Sequence, residues 1–283
     1  MILLTGSTGS VGLSLAKLLS QRGIEYRAMV RDVTKASALD LAGVEWVQGD
    51  FQDTESLRQS LDGVDRVFLL APPVENIDRI EATFLDIAAA CGVRYVVNLS
   101  AVGAGLGVPH RFGQWHGQTE KYLRESEFDF TILRPNFFMQ NLLTMTSMIQ
   151  QGTLYVPAGE GKAPFVDVRD IAAVAATCLT ETGHEGKTYD VTGPVSIGYS
   201  DIAATLTHVL GRTINYVDIP VEAAKASMLE MGMPAWLVDA LNELNAGLKE
   251  NRFGLVTNVV SEVGHKIPID LDSFVRDHVA SFG

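Results

Sequence analysis

Met1-Ile-Leu-Leu-Thr5-Gly6-Ser7-Thr8-Gly9-Ser10-Val11-Gly12 begins the chain: an apolar run leads into three glycines spaced three apart, after which Val11, Leu15, Leu18 and Leu19 recur at helical spacing. The run reads as a buried strand and the recurrence, to about Gln21, as an amphipathic helix. Glycines between a strand and a helix let backbone N–H groups approach an anion, and the first helical turn aims the positive end of its dipole at the same point. Strand, turn and helix together predict a pyrophosphate cradle for a dinucleotide, formed by Gly6, Ser7, Thr8, Gly9, Ser10 and Val11. The run lacks a basic flank and reaches Gly6 after five residues, so it is read as strand and not as a secretory leader.

Outward from this turn, short β-type runs alternate with helical patterns. Strands are expected at Ile2–Thr5, Tyr26–Val30, Val44–Gln48, Arg66–Leu70, Tyr95–Leu99 and Phe130–Leu133, with helices around Thr34–Leu41, Thr54–Leu61, Ile77–Cys91 and Trp115–Ser126. That alternation predicts an α/β fold with a doubly wound parallel sheet. After Arg134-Pro135 the rhythm changes. A helix is expected over Phe137–Gln150, a short strand at Leu154-Tyr-Val, a helix over Val168–Leu179, a returning strand at Thr188–Val191, and then mostly helix, with Ile214–Ile219 extended. The expected organisation is a dinucleotide-binding domain over 1–135, to which 166–193 return, and a smaller, mostly helical C-terminal substrate lobe over 136–283.

Composition limits the partners. The 283 residues are 47% hydrophobic and carry a formal net charge of −12, which argues against binding nucleic acid or an anionic membrane surface. No apolar run approaches the roughly 20 residues that span a bilayer. Cys91 and Cys178 both fall in apolar helical segments and read as buried thiols, which fits a reducing cytoplasm.

The second strand ends Val30-Arg31-Asp32, the position that faces the adenosine ribose in such folds. A carboxylate there suits the 2′-hydroxyl of NAD, and a guanidinium suits the 2′-phosphate of NADP. Arg31 comes first and Lys35 adds charge one turn into the next helix, so NADP(H) is the expected cofactor; the alternative for Arg31 is a surface pair with Asp32. Asp50, before Phe51, is a candidate acceptor for the adenine amino group or else a cap for the helix near Thr54. Ala71-Pro72 and Ser100 lie past strands four and five, on the carboxyl edge where ligands of open α/β sheets bind.

Thr5–Gly12, Val30-Arg31-Asp32, Gly49-Asp50, Leu133-Arg134-Pro135 and Asp272-Ser-Phe-Val-Arg-Asp277 together resemble the NmrA-like group of atypical short-chain dehydrogenase/reductases, which includes triphenylmethane and quinone reductases. The resemblance runs along nearly the whole chain. It implies a Rossmann domain, NADP(H), and a cleft between the sheet edge and the C-terminal lobe; a monomer and a homodimer both fit it. Ordinary short-chain reductases carry Tyr-x-x-x-Lys on the helix after strand five. This sequence has His116-Gly-Gln-Thr-Glu120, which keeps the i, i+4 spacing and replaces both chemical groups.

His116 and Glu120 are therefore the candidate catalytic pair: the carboxylate is expected to favour the imidazolium, making His116 a proton donor, and to accept from ribose hydroxyls. The alternative is a structural helix-face pair. No metal site is expected, since two ligands at this spacing lack a third. Pro135, Asn136 and Phe138 follow strand six and are placed beside the nicotinamide, with Phe137 next to them. Met139, Met145, Met148, Met228, Met231, Met233, Phe165 and Trp236 are candidates for an adaptable apolar wall or for plain core. Trp115 and His110 are candidates for closing the pocket.

The resulting expectation is an NADPH-dependent reductase that transfers hydride to a small, apolar, conjugated electrophile: a quinone, an activated alkene, an imine or iminium, or a dye-like cation. Two alternatives are a non-catalytic NADP(H) sensor that regulates a protein partner and an isomerase that uses bound nicotinamide without net consumption.

Overall fold

A computed structural model describes residues 1–283. Seven parallel strands form one sheet. In chain order they and their helices are β1 (Ile2–Leu4), α1 (Ser10–Gln21), β2 (Tyr26–Val30), α2 (Val33–Ser37), β3 (Val44–Gln48), α3 (Thr54–Ser60), β4 (Arg66–Leu69), α4 (Ile77–Ala90), β5 (Tyr95–Leu99), α5 (Arg111–Glu125) and β6 (Asp129–Pro135). Then follow α6 (Thr146–Gln150), β7 (Thr153–Tyr155), α7 (Val168–Thr180), β8 (Lys187–Val191), α8 (Tyr199–Leu210), β9 (Asn215–Val217), α9 (Val221–Glu230) and α10 (Ala235–Lys249). The strand order is β3-β2-β1-β4-β5-β6-β8, with the returning strand β8 paired to β6. The order reverses between β1 and β4. That reversal splays the loops apart at the carboxyl edge and leaves a crevice there.

Two apolar cores pack the sheet faces. On one, Leu4, Leu15, Leu19 and Val97 meet α7, a helix buried nearly all round; on the other, Leu3, Val67, Phe84 and Leu123 meet α3, α4 and α5. A third core, including Met139, Phe165, Ile202, Leu248 and Phe274, lies outside the sheet and joins α8, α10 and the small β7–β9 ladder. No helix is long and apolar enough to cross a membrane.

Three elements differ from expectation for local reasons. Helix α2 ends at Ser37, short of Leu41. The expected helix over 137–150 starts late, because Phe138 forms a bridge with Val166 and the Met139 amide donates to Val166 O at 2.9 Å. Residues Met139–Met145 then form a 3₁₀ segment before α6. Helix α5 starts four residues early, at Arg111, because His110 caps it: its Nδ1 accepts from the Gly113 amide at 3.0 Å.

Candidate functional site

The glycine turn is shaped by contacts that no side chain could share. Gly6 has φ +63°, and a Cβ on Gly12 would lie 2.2 Å from Gly6 O. Gly9 caps α1 without a side-chain bond, and the first helical bond runs from Leu13 to Gly9 O at 2.8 Å. The amides of Ser10, Val11 and Gly12 have no partner in the protein, as at any uncapped helix start. This is the donor set that a pyrophosphate needs, so the residues present fit a dinucleotide.

A single cleft of about 790 Å³ runs from this turn along the sheet edge, within the range of about 300–1,000 Å³ typical of ligand sites. At the turn it is lined by Gly6, Ser7, Thr8, Gly9, Ser10 and Val11, and farther out by Arg31, Asp50 and Phe51. Ala71 and Pro72 form its middle, with Ser100, Pro135, Asn136 and Phe138 beyond. His116 lines the far end beside Val102, His110, Phe112, Phe137, Leu244 and Phe253. Seventeen of its 34 lining residues are hydrophobic, and its only ionic side chains, Arg31 and Asp50, sit at the adenosine end.

Arg31 is exposed at the cleft edge and makes no ion pair. Asp32 instead caps α2 through the Lys35 amide, 3.1 Å, and approaches the Lys35 ammonium at 3.6 Å. Lys35 is exposed and, unlike Arg31, is not among the residues lining the cleft. Asp50 does not cap α3. Asp53 does, accepting from Glu55 and Ser56, so Asp50 keeps one carboxylate oxygen beyond its 2.9 Å bond with the Gln52 amide.

His116 and Glu120 do not form the expected pair. The Glu120 carboxylate is nearly fully buried and takes Ser100 Oγ at 2.7 Å and Arg134 Nε at 2.7 Å, with a second Arg134 nitrogen on its other oxygen. It is spent on β6 and the β5 loop and does not line the cleft. Burial pushes the His116 imidazole down to about 4, against the opposing pull of Glu120, and His110 lowers it further. Desolvation thus outweighs the carboxylate and favours the neutral imidazole over the expected imidazolium. Its Nδ1 is buried without a partner.

Two other residues reach the cleft with their polar groups already used. Ser100 donates to Glu120, while Asn136 donates to Phe253 O at 2.9 Å and accepts from the Phe137 amide. The methionine wall does not form. Met139 is buried in the outer core, Met145 and Met148 pack against that core, and none of the six lines the cleft. Trp115 and Trp236 stack edge-on beside Phe112, outside the cleft. The wall is aromatic instead: Phe137 meets Phe253 at 5.6 Å and Phe165 at 5.5 Å. Leu244 and Phe253 carry no motif and lie more than 100 residues past β6, so only the packing of α10 identifies them.

Beneath the Ala71 loop, Glu81 is fully buried, accepts from Thr119 Oγ1 at 2.6 Å and is pushed up to about 7. Burial is the main cause and Asp78 adds to it, while Thr119 and the Ala71 amide oppose it.

Fold and cleft define a dinucleotide-binding protein of the doubly wound class. The family model of the NmrA-like family matches residues 1–275, and the chain belongs to that family. It is 38% identical over 284 residues to the NAD(P)H azoreductase of Xenophilus azovorans, covering 100% of this chain and 99% of that protein. The NADPH-dependent quinone oxidoreductase of Escherichia coli, solved with NADPH, superposes with TM-score 0.88 at 26% identity, over 99% of this chain and 100% of that one. The triphenylmethane reductase of Citrobacter sp., solved with NADP(H), shares the fold with TM-score 0.87 at 23% identity, over 98% and 99%.

Proposed function

We propose that this protein is an NADPH-dependent reductase of small, conjugated, largely apolar electrophiles, and that it works without a tyrosine–lysine pair. At the coarser level it is an NAD(P)H-dependent oxidoreductase, as are the family members named above. The observation that carries the finer reading is the continuity of the cleft, which joins the glycine turn to an aromatic end free of ionic groups.

In this reading Gly6 to Val11 hold the pyrophosphate, Arg31 the 2′-phosphate and Asp50 with Phe51 the adenine. Ala71, Pro72, Ser100, Pro135, Asn136 and Phe138 border the nicotinamide half. When bound, the reduced nicotinamide supplies a hydride. The chain contributes binding, orientation and exclusion of water. Its far end holds no charged acid, because burial lowers both His116 and His110 below the ordinary imidazole value. Such a site suits acceptors whose own delocalisation carries the incoming charge, since these need little acid assistance. Glu120 acts through Arg134 and Ser100, holding the β5 and β6 loops in place, and His116 faces the acceptor as a neutral imidazole.

The test is titration with NADPH and with NADH, followed by NADPH oxidation against a quinone, an azo dye, a triarylmethane dye and an activated alkene. Tighter binding of NADPH and turnover with at least one acceptor are expected, with no ionisation of His116 in the kcat profile between about pH 5.5 and 8. Tight NADPH binding with no turnover on any of them overturns the reading in favour of a cofactor sensor.

A further inference from the structure

His110 is held more firmly than a loop residue needs to be. Its Nδ1 accepts the Gly113 amide at 3.0 Å, so in the neutral ring the proton sits on Nε2. Nε2 has no partner in the protein and is not sealed from solvent, although the residue as a whole is only 5% exposed and lines the cleft. Of the two ring nitrogens of this cleft-lining residue, only Nε2 is left free for a ligand.

Three neighbours fix the ring. Phe253 packs edge-on at 5.7 Å and 79°. A Cβ on Gly113 would lie 2.2 Å from the imidazole Cε1, and one on Gly103 would lie 3.4 Å from Nε2. Gly113 costs helix propensity in the first turn of α5 and gives the ring its seat. The outcome is an oriented N–H donor with a known tautomer in a largely apolar pocket whose other polar lining groups are His116, Asn141 and the already bonded Ser100 and Asn136. Once a ligand displaces water from the pocket, a donor left unpaired is costly, so a ligand that satisfies it is favoured over one that cannot.

We propose that His110 is a specificity-determining residue whose Nε2–H donates a hydrogen bond to a carbonyl oxygen of the acceptor, selecting conjugated carbonyl compounds of the quinone type over acceptors without such an oxygen. The proposal rests on the reductase reading. The donor needs no proton transfer: it orients the carbonyl and stabilises the negative charge that collects on its oxygen as hydride arrives.

The discriminating variant is His110→Asn. Asparagine is a strong N-cap and keeps the bond to the Gly113 amide, but it has no donor where Nε2 stands. Wild type and variant are compared with 2-methyl-1,4-naphthoquinone and with crystal violet, which has no carbonyl, together with NADPH affinity and melting temperature. Expected is a loss of about tenfold in kcat/KM for the quinone, less than twofold for crystal violet, and unchanged NADPH affinity. An equal loss with both acceptors, or no loss with the quinone, overturns the proposal.

If wild-type protein turns over neither acceptor, the reductase reading fails on its own account. The donor is then judged from quinone binding to the cofactor-free protein, followed by tryptophan fluorescence, with about tenfold weaker binding expected in His110→Asn and equal binding overturning it. If the variant does not fold, the wild-type imidazole nitrogen resonances decide: the Nε2–H signal of His110 shifts on quinone addition if the bond forms and stays in place if it does not.

Discussion

The two ends of the cleft are made in different ways. At the dinucleotide end the groups on offer are backbone amides from one unbroken stretch, Gly6 to Gly12, and their geometry follows from a strand, a turn and a helix start. At the acceptor end the surface consists of side chains from α5, the 136–141 segment, α10 and Phe253, brought together only by packing. A backbone cradle tolerates change in most side chains but not the addition of a Cβ. A side-chain pocket behaves in the opposite way, and this contrast sets what each substitution should do.

The largest effect is expected at Gly12. In Gly12→Ala the new methyl would lie 2.2 Å from Gly6 O, so the turn must move. NADPH affinity should fall more than about a hundredfold, with several kcal/mol of stability lost, as at other positions of forced backbone strain. Calorimetric binding and denaturant unfolding check this, and near-normal affinity would mean that the amides of the turn do not hold the phosphates.

Arg134→Leu comes next, because it leaves the Glu120 carboxylate buried without its bidentate partner. A loss of about 3 kcal/mol is expected, at the low end for a broken buried pair because Arg134 is partly exposed. Stability should fall with kcat for hydride transfer little changed in the protein that remains folded. A collapse of kcat in folded protein would return Glu120 to a direct role in the chemistry.

Glu81, under the Ala71 loop where the two ends of the cleft meet, tests the comparison through pH. Its carboxyl is raised to about 7 in the folded chain from an ordinary 4.5, so the unfolded chain loses its proton first. The stability tied to this group is fully present below about pH 4.5 and is lost as pH rises to about 7. Glu81→Gln removes that dependence, so its stability relative to wild type should rise by up to about 3 kcal/mol between pH 4.5 and pH 8. His116, lowered to about 4, acts with the opposite sign and gains stability for the fold as pH rises from about 4 to 6.5. The wild-type profile is therefore flatter than either group alone would make it, and unfolding curves across this range expose the slope in the variant.

The smallest effects separate Arg31 from Lys35. Arg31→Ala should weaken NADPH about tenfold and leave NADH unchanged, through loss of a charge-assisted contact at an exposed site. Lys35→Ala should change either affinity less than twofold, since an exposed ammonium beside Asp32 contributes little. Equal effects at the two positions would place the phosphate between them.

Much of the dinucleotide end was legible in the residues because its determinants are local. The glycine spacing, the strand ending at Arg31 and the Gly49-Asp50 turn each act within a few residues of themselves. Lys35 sits on a helix of five residues capped by its neighbour Asp32 and does not line the cleft, a placement that helical spacing alone does not give. The acceptor end was legible only in part. Phe137 and Phe138 follow a strand and were placed by it, whereas the methionines have the right chemistry and the wrong address.

His116 and Glu120 show the limit most clearly. Their spacing puts both on α5, but one side chain faces the cleft and the other points to Arg134 and Ser100. Sequence by itself determined the doubly wound sheet, the glycine turn and the kind of ligand it cradles, because periodicity and glycine sterics operate along the chain. Only the tertiary structure decided that burial lowers the imidazole, that Arg134 and Ser100 take up the carboxylate and that the pocket wall is aromatic, because burial and partner choice depend on residues that meet in space after folding.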